Sequence, residues 1–145
     1  HVPLHTTSNY DGQKTGQTGL HSLWESKIPE YVKEDLFQFV GKAEYIENME
    51  DSSWKWLWMA HEQVDELIEK EKKVSKSIPN KKQFVYEKRG NNLIRMESEI
   101  FIKKYQQSLN GMVEKQFNLS VKHLGDCWYS SWLEAGEPNL ELFNQ

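Results

Sequence analysis

The sequence predicts an all-α protein, a bundle of about four to six helices in one domain. Apolar residues recur at spacings of three and four, and no segment shows a clean two-residue alternation. A chain of 145 residues can bury a single hydrophobic core, and its 12% aromatic content argues against disorder despite a mean hydropathy of −0.80. No apolar run approaches the length of a membrane span.

The first part of the chain predicts a loop followed by helices. Residues 6–20 are rich in Gly, Asn, Asp and Thr, which favour turns. A helix is expected over residues 20–28, where Pro29 interrupts it or begins the next one. Residues 30–46 mix apolar and charged side chains, which predicts further helix with a break near Gly41.

The clearest helical pattern covers residues 49–77. One face of this predicted helix is apolar and the opposite face is charged, and Pro79 ends the helix. Residues 81–92 are expected to be a basic, polar connector without strand signals. The apolar face of the predicted helix consists of Trp54, Leu57, Trp58, His61, Val64 and Ile68.

A second long helical pattern covers residues 93–133. Asn110-Gly111 is expected to kink or divide it, and Gly136 and Pro138 end it. The pattern predicts the following core residues: Met96, Ile100, Tyr105, Leu109, Met112, Val113, Phe117, Val121, Leu124 and Trp128.

Charge and cysteine content exclude some classes of protein. A net charge of −4 argues against strong nonspecific binding to duplex nucleic acid. The single cysteine, Cys127, excludes an internal disulfide framework and is expected to be a small core residue beside Trp128.

One set of residues suggests metal chemistry. His21 and Glu25 are four residues apart on a predicted helix and therefore project from the same face. His5, before the turn-rich loop, can return to supply a third ligand. Two His and one Glu with water in the fourth position form a catalytic zinc arrangement. The alternative is an exposed helical pair that binds nothing.

Two other histidines are expected to be structural. His61 begins a sequence that resembles the start of a His-Glu-x-x-His box, but the second His is missing. It also shares the apolar face described above. His123 has Asp126 and Cys127 nearby and is likewise expected to bind no metal.

Two short segments carry a family resemblance. Residues 1–5 read His-Val-Pro-Leu-His, and residues 19–25 read Gly-Leu-His-Ser-Leu-Trp-Glu. Together they resemble the zinc-dependent phospholipase C and single-strand-specific nuclease superfamily, within residues 1–29 only. The resemblance implies that His5, His21 and Glu25 bind one zinc ion. It implies no ligand role for His1, and Trp24 is expected to pack the ligand helix.

The resemblance also implies a fold, a cofactor and a reaction. Members of the superfamily are all-α enzymes that hold three zinc ions and hydrolyse phosphodiesters, either phospholipids or single-stranded nucleic acids. Glu25, where the nucleases usually carry Asp, is closer to the phospholipase C side. The family is secreted or periplasmic, although the chain shows no signal segment.

The remaining family ligands, including a His-x-x-x-Asp motif, precede the position that matches His1. The chain is therefore expected to be the carboxy-terminal part of a larger zinc hydrolase domain, inactive alone. It is expected to contact a separately produced amino-terminal half or a second copy of itself. The alternatives are a non-catalytic helical interaction module and an inactive relative of the family.

Overall fold

The computed structural model describes residues 1–36 and 39–143, and most of these residues are helical. A 3₁₀ turn at Pro3–Thr6 precedes a long loop, and a second 3₁₀ turn lies at Leu140–Phe143. The helices are α1 (Leu20–Ser22), α2 (Ile28–Leu36), α3 (Met49–His61), α4 (Val64–Ser77), α5 (Asn80–Gln83), α6 (Glu99–Leu109) and α7 (Met112–Glu134). The strands are β1 (Phe84–Arg89) and β2 (Asn92–Glu97).

Pro29 does not end the first helix. Helix α1 continues through a wide π-helical turn at Leu23–Lys27 directly into α2. The amide of Ile28 bonds to the carbonyl of Leu23, five residues earlier. Because Pro29 has no N–H and its ring crowds the preceding turn, a widened turn lets the helix pass the proline. Glu25 lies in this turn.

The core lies between the α1–α2 segment, α4, α6 and the start of α7. Tyr105 is fully buried, and its hydroxyl donates a hydrogen bond of 3.0 Å to the carbonyl of Leu67. Four of the residues predicted to be core are buried, namely Tyr105, Leu109, Met112 and Val113. The core also includes Leu4, Leu20, Leu23, Trp24, Ile28 and Leu67.

An irregular segment, residues 39–48, runs along α7. The backbone amide of Glu44 donates to Asp126 at 2.7 Å, and the amide of Ile46 donates to the Ser130 hydroxyl at 2.9 Å. The expected helix therefore does not continue past α2 in the described residues; part of that prediction falls on residues 37 and 38, outside the described ranges. These two buried side chains satisfy backbone groups that no helix satisfies here.

The prediction of a fold without a sheet is wrong in one place. Residues 84–97 form an antiparallel β-hairpin in which Val85 pairs with Met96 and Lys88 pairs with Leu93. The expected connector over 81–92 is thus partly strand, and the second helical pattern begins at Glu99 rather than at residue 93. Gly90, with a φ of +61°, allows the tight turn.

The long helix predicted over 49–77 is two helices, because the chain turns at residues 62–63 between α3 and α4. Its predicted apolar face is also not core at the α3 end. Trp54, Leu57 and Trp58 are exposed, Trp54 and Trp58 by more than half. In the second pattern Ile100, Val121, Leu124 and Trp128 are exposed as well.

Cys127 is a half-buried free thiol whose Sγ lies 3.6 Å from the Met49 sulfur. It therefore packs against α3, and the neighbouring Trp128 is 70% exposed, so the predicted core pair is wrong. Within residues 1–36 and 39–143, no helix has the length and apolar character that crossing a membrane requires.

Candidate metal centre

His5 lies on the short 3₁₀ turn at Pro3–Thr6. Leu4 anchors this turn in the core, and the Thr6 hydroxyl donates to the Pro3 carbonyl at 2.7 Å. That hydroxyl also lies 2.9 Å from Nδ1 of His61. Since the hydroxyl proton is already donated, the hydroxyl accepts from His61, whose hydrogen then resides on Nδ1. His61 thus fixes the turn that carries His5.

The loop from residue 7 to residue 19 returns the chain to the same place. Asn9 holds it together: its side-chain amide donates to the Thr15 hydroxyl at 3.1 Å, and its carbonyl oxygen accepts from the Lys14 amide. Gly12 adopts a φ of +72°, and its carbonyl accepts from the Gln17 amide at 2.8 Å. The loop is therefore closed by its own hydrogen bonds before α1 begins.

Asp11 links this loop to α1, the helix that carries His21. Its carboxylate accepts a hydrogen bond of 3.3 Å from the backbone amide of His21, at the beginning of the helix where amides lack helical partners. In the sequence, Asp11 is one of the turn-favouring residues of the segment 6–20. Its position ten residues before the candidate ligand carried no spacing signal that would have revealed the contact.

The structure brings His5, His21 and Glu25 together. The Nε2 atoms of His5 and His21 are 2.8 Å apart, and their ring centroids are 5.0 Å apart. Oε2 of Glu25 lies 2.8 Å from Nε2 of His21 and 3.6 Å from Nε2 of His5. All three ligand atoms lie within 4.8 Å of one another, the only group of its kind in the described part of the chain.

Hydrogen bonding pairs this triangle only in part. An imidazole nitrogen carries either a hydrogen or a lone pair, so Nε2 of His21 cannot both donate to Glu25 and accept from His5. If Nε2 of His21 carries the hydrogen, one hydrogen must serve both neighbours. If it does not, its lone pair faces the Glu25 carboxylate at 2.8 Å. A cation bound to all three atoms removes this conflict.

The donor set fits zinc. Zinc bonds of about 2.0–2.2 Å at tetrahedral angles place neighbouring ligand atoms roughly 3.4 Å apart. The observed separations of 2.8, 2.8 and 3.6 Å need shifts of only a few tenths of an ångström to about half an ångström. The His5 and Glu25 side chains are 56% and 40% exposed, which leaves solvent access to a fourth position.

The side chains beside the triangle add shape and packing. Tyr10 presents its ring edge-on to the His21 ring, with centroids 6.0 Å apart, and is itself exposed. Trp24 lies between His21 and Glu25 in the sequence, and its side chain is buried in the core. Its indole nitrogen has no hydrogen-bond partner among the described residues, so its role there is packing.

His123 lies in a separate aromatic stack. Its Nδ1 is 2.8 Å from Nε2 of His1, and its ring stacks on Trp56 with centroids 4.0 Å apart. Burial lowers the pKa of His123 and outweighs the opposing influence of Asp126. The lowered pKa favours the neutral ring. Nδ1 of His1 lies 3.3 Å from the side-chain oxygen of the buried Gln116.

Comparison with known proteins adds no relative. The chain matches no protein-family model, no curated protein and no solved structure.

Proposed function

We propose that this chain binds one zinc ion through His5, His21 and Glu25 and forms part of a zinc-dependent phosphodiester hydrolase, phospholipase C-like or nuclease-like. The observation that carries the proposal is the convergence of two imidazole nitrogens and a carboxylate oxygen within 4.8 Å of one another, an arrangement that one bound cation satisfies. The resemblance of residues 1–29 to that superfamily supplies the reaction class.

Each residue has a distinct part in this proposal. His5 and His21 each offer a ring nitrogen as a ligand atom, and Glu25 offers a carboxylate oxygen. Asp11 holds the start of the ligand helix, and His61, through Thr6, holds the turn of His5. A bound zinc ion supplies a Lewis acid that stabilises phosphoryl charge and makes hydroxide accessible near neutral pH.

The proposal is tested first by binding. Titration calorimetry with zinc should give one site per chain, and His21→Ala or Glu25→Gln should weaken binding by at least about 100-fold, since even outer partners of a metal site cost 10- to 100-fold. His123→Ala and Glu30→Gln are matched controls, because both leave the triangle intact. Equal zinc affinity in all four variants would contradict the proposal.

A helical interaction module is the second candidate, and the exposed aromatic face of α3 favours it. Trp54, Leu57 and Trp58 follow one another at helical spacing and are exposed, and contiguous exposed apolar patches mark interaction sites. A second copy of the chain would cover them. Sedimentation should then show concentration-dependent association that Trp54→Lys with Trp58→Lys abolishes. A monomer at every concentration would exclude a second copy as the occupant of this face.

A further inference from the structure

The β-hairpin exposes apolar side chains on both of its faces. Val85 and Ile94 lie on one face, while Tyr86 and Leu93 lie on the other, as the alternation and register of the strands require. These four side chains are between 39% and 68% exposed. A two-stranded hairpin gains little stability by itself in water, so exposure on both faces points to a ligand that covers them.

The same part of the chain concentrates positive charge. Nine of the 18 Lys and Arg residues lie between positions 70 and 95, with only two of the 22 acidic residues. This segment, less than a fifth of the chain, therefore carries +7, although the whole chain carries −4. Lys70 and Lys73 pair with Glu66 and Glu69 on α4. Lys72, Lys76, Lys81, Lys82 and Lys88 form no ion pair among the described residues and are exposed.

Three of these cations surround one cleft. Lys72 and Lys76 project from α4 at a spacing of four residues, and Arg95 of β2 lies opposite, over the Phe84 ring at 4.3 Å. The cleft also contains Glu71 and Glu97. The Glu71 carboxylate is buried and accepts from Gln17 and from the Ser75 hydroxyl, so its charge is held inside. We call the site formed by Lys72, Lys76 and Arg95 the basic cleft.

We propose that the hairpin and the basic cleft form a surface that binds anionic phospholipid bilayers. Apolar side chains on both faces of a hairpin fit a bilayer, which surrounds an inserted element, better than a protein groove, which covers one face. Val85, Leu93 and Ile94 are aliphatic and offer no ring on which nucleic-acid bases stack. Tyr86 suits the interface between headgroups and acyl chains, and the lysines suit phosphate groups.

The hairpin lies beside the helical segment that carries His21 and Glu25. Ile94, Arg95 and Met96 line a second cleft together with Ser22 and Lys27, on the helical segment that carries two of the candidate metal ligands. A bilayer bound at the hairpin would therefore lie next to the ligand helix. The membrane surface does not depend on the zinc proposal, since it uses none of the three ligands.

Vesicle flotation with the full chain in EDTA tests the inference. The chain should float with vesicles that contain phosphatidylserine, less so with phosphatidylcholine alone, and less at high salt. Tyr86→Ser with Leu93→Ser should reduce partitioning about tenfold or more, because each substitution removes apolar area from the bilayer. Lys72→Gln with Lys76→Gln should reduce it roughly fivefold per lysine.

Matched controls use exposed residues elsewhere. Leu124→Ser on α7 and Lys103→Gln with Lys104→Gln on α6 should float like the original chain, as should His21→Ala. Circular dichroism of each variant checks that it is folded. Absence of flotation with either vesicle, or flotation that the hairpin and cleft variants leave unchanged, would overturn the inference. The inference would also be overturned if a single-stranded oligonucleotide displaced the vesicles and its own binding required Lys72 and Lys76 but not Leu93.

Discussion

At the scale of single residues, Asp126 shows how one carboxylate holds an irregular segment to a helix. It accepts from the Glu44 amide at 2.7 Å and from Lys122 at 2.6 Å. Burial alone would raise its pKa, but the bonds to Lys122 and Glu44 outweigh burial, so the pKa of Asp126 is lowered. The ionised form is therefore the one that stabilises the fold.

This direction predicts the pH dependence of stability. A carboxyl whose pKa is lower in the folded chain stabilises the fold above its unfolded value, about 4, and loses that contribution as pH falls through its folded value. Asp126→Ala should lower the free energy of unfolding by about 2 kcal/mol at pH 7, since hydrogen bonds to charged groups contribute about 1.5–3 kcal/mol. The deficit should shrink below about pH 3.

Urea unfolding at both pH values measures this effect. Glu44→Gln is the matched control, because the exposed Glu44 side chain reaches the same lysine at 3.5 Å but holds no backbone amide. It should change stability little at either pH. A deficit for Asp126→Ala that is the same at both pH values would show that packing, not ionisation, accounts for it.

At the scale of elements, the loop between His5 and His21 joins two of the three candidate ligands. A side chain at Gly12 would place Cβ 2.5 Å from the Gln17 carbonyl oxygen, in addition to the strain of a positive φ. At Gly16 the φ is also positive, at +77°, but a Cβ would meet nothing within 4 Å. Substitutions at the two glycines therefore distinguish a backbone clash together with conformational strain, at Gly12, from conformational strain alone, at Gly16.

Gly12→Ala should therefore be the more damaging substitution. Strain at a positive φ costs about 1–2 kcal/mol in either variant, and the clash at Gly12 forces the Gln17 backbone to move as well. We expect Gly12→Ala to reduce zinc affinity measurably, because it shifts the loop that joins two ligands, whereas Gly16→Ala should lower only stability. Titration calorimetry and thermal unfolding of both variants measure the two effects. Identical zinc affinities would mean that the loop does not set the ligand geometry.

The elements also show which features of the candidate site and of the fold could be predicted from sequence patterns. The i,i+4 spacing of His21 and Glu25 predicted that they share a face, and the Pro-Leu-His segment predicted that His5 joins them; the structure places all three together. The widened turn around Glu25 was not predictable, because the pattern reports periodicity and not the accommodation of Pro29. The hairpin was missed although Gly90-Asn91 between aromatic and β-branched residues is a turn signal.

At the scale of the whole molecule, periodicity identified apolar faces but not what covers them. Tyr105 and Leu109 continue their pattern into the core, whereas Trp54 and Trp58 follow an equally regular pattern on the surface. The distinction depends on the arrangement of α3 against its neighbours, which spacing within one helix does not contain. The uneven charge distribution, by contrast, could be read directly from the sequence.

Turnover of a phosphodiester depends on the metal ligands of the molecule as a whole. The described residues contain one group of three candidate ligands, which can hold one zinc ion with one open position. The resembled enzymes use three ions, and a metal cluster clamps both the attacking and the leaving oxygen of a phosphodiester. A single ion cannot supply both clamps. We therefore expect the zinc-loaded chain alone to hydrolyse bis(p-nitrophenyl) phosphate and phosphatidylcholine no faster than His21→Ala does, even though it binds zinc. Zinc-dependent hydrolysis that His21→Ala abolishes and His123→Ala leaves intact would show instead that this one site is sufficient for catalysis.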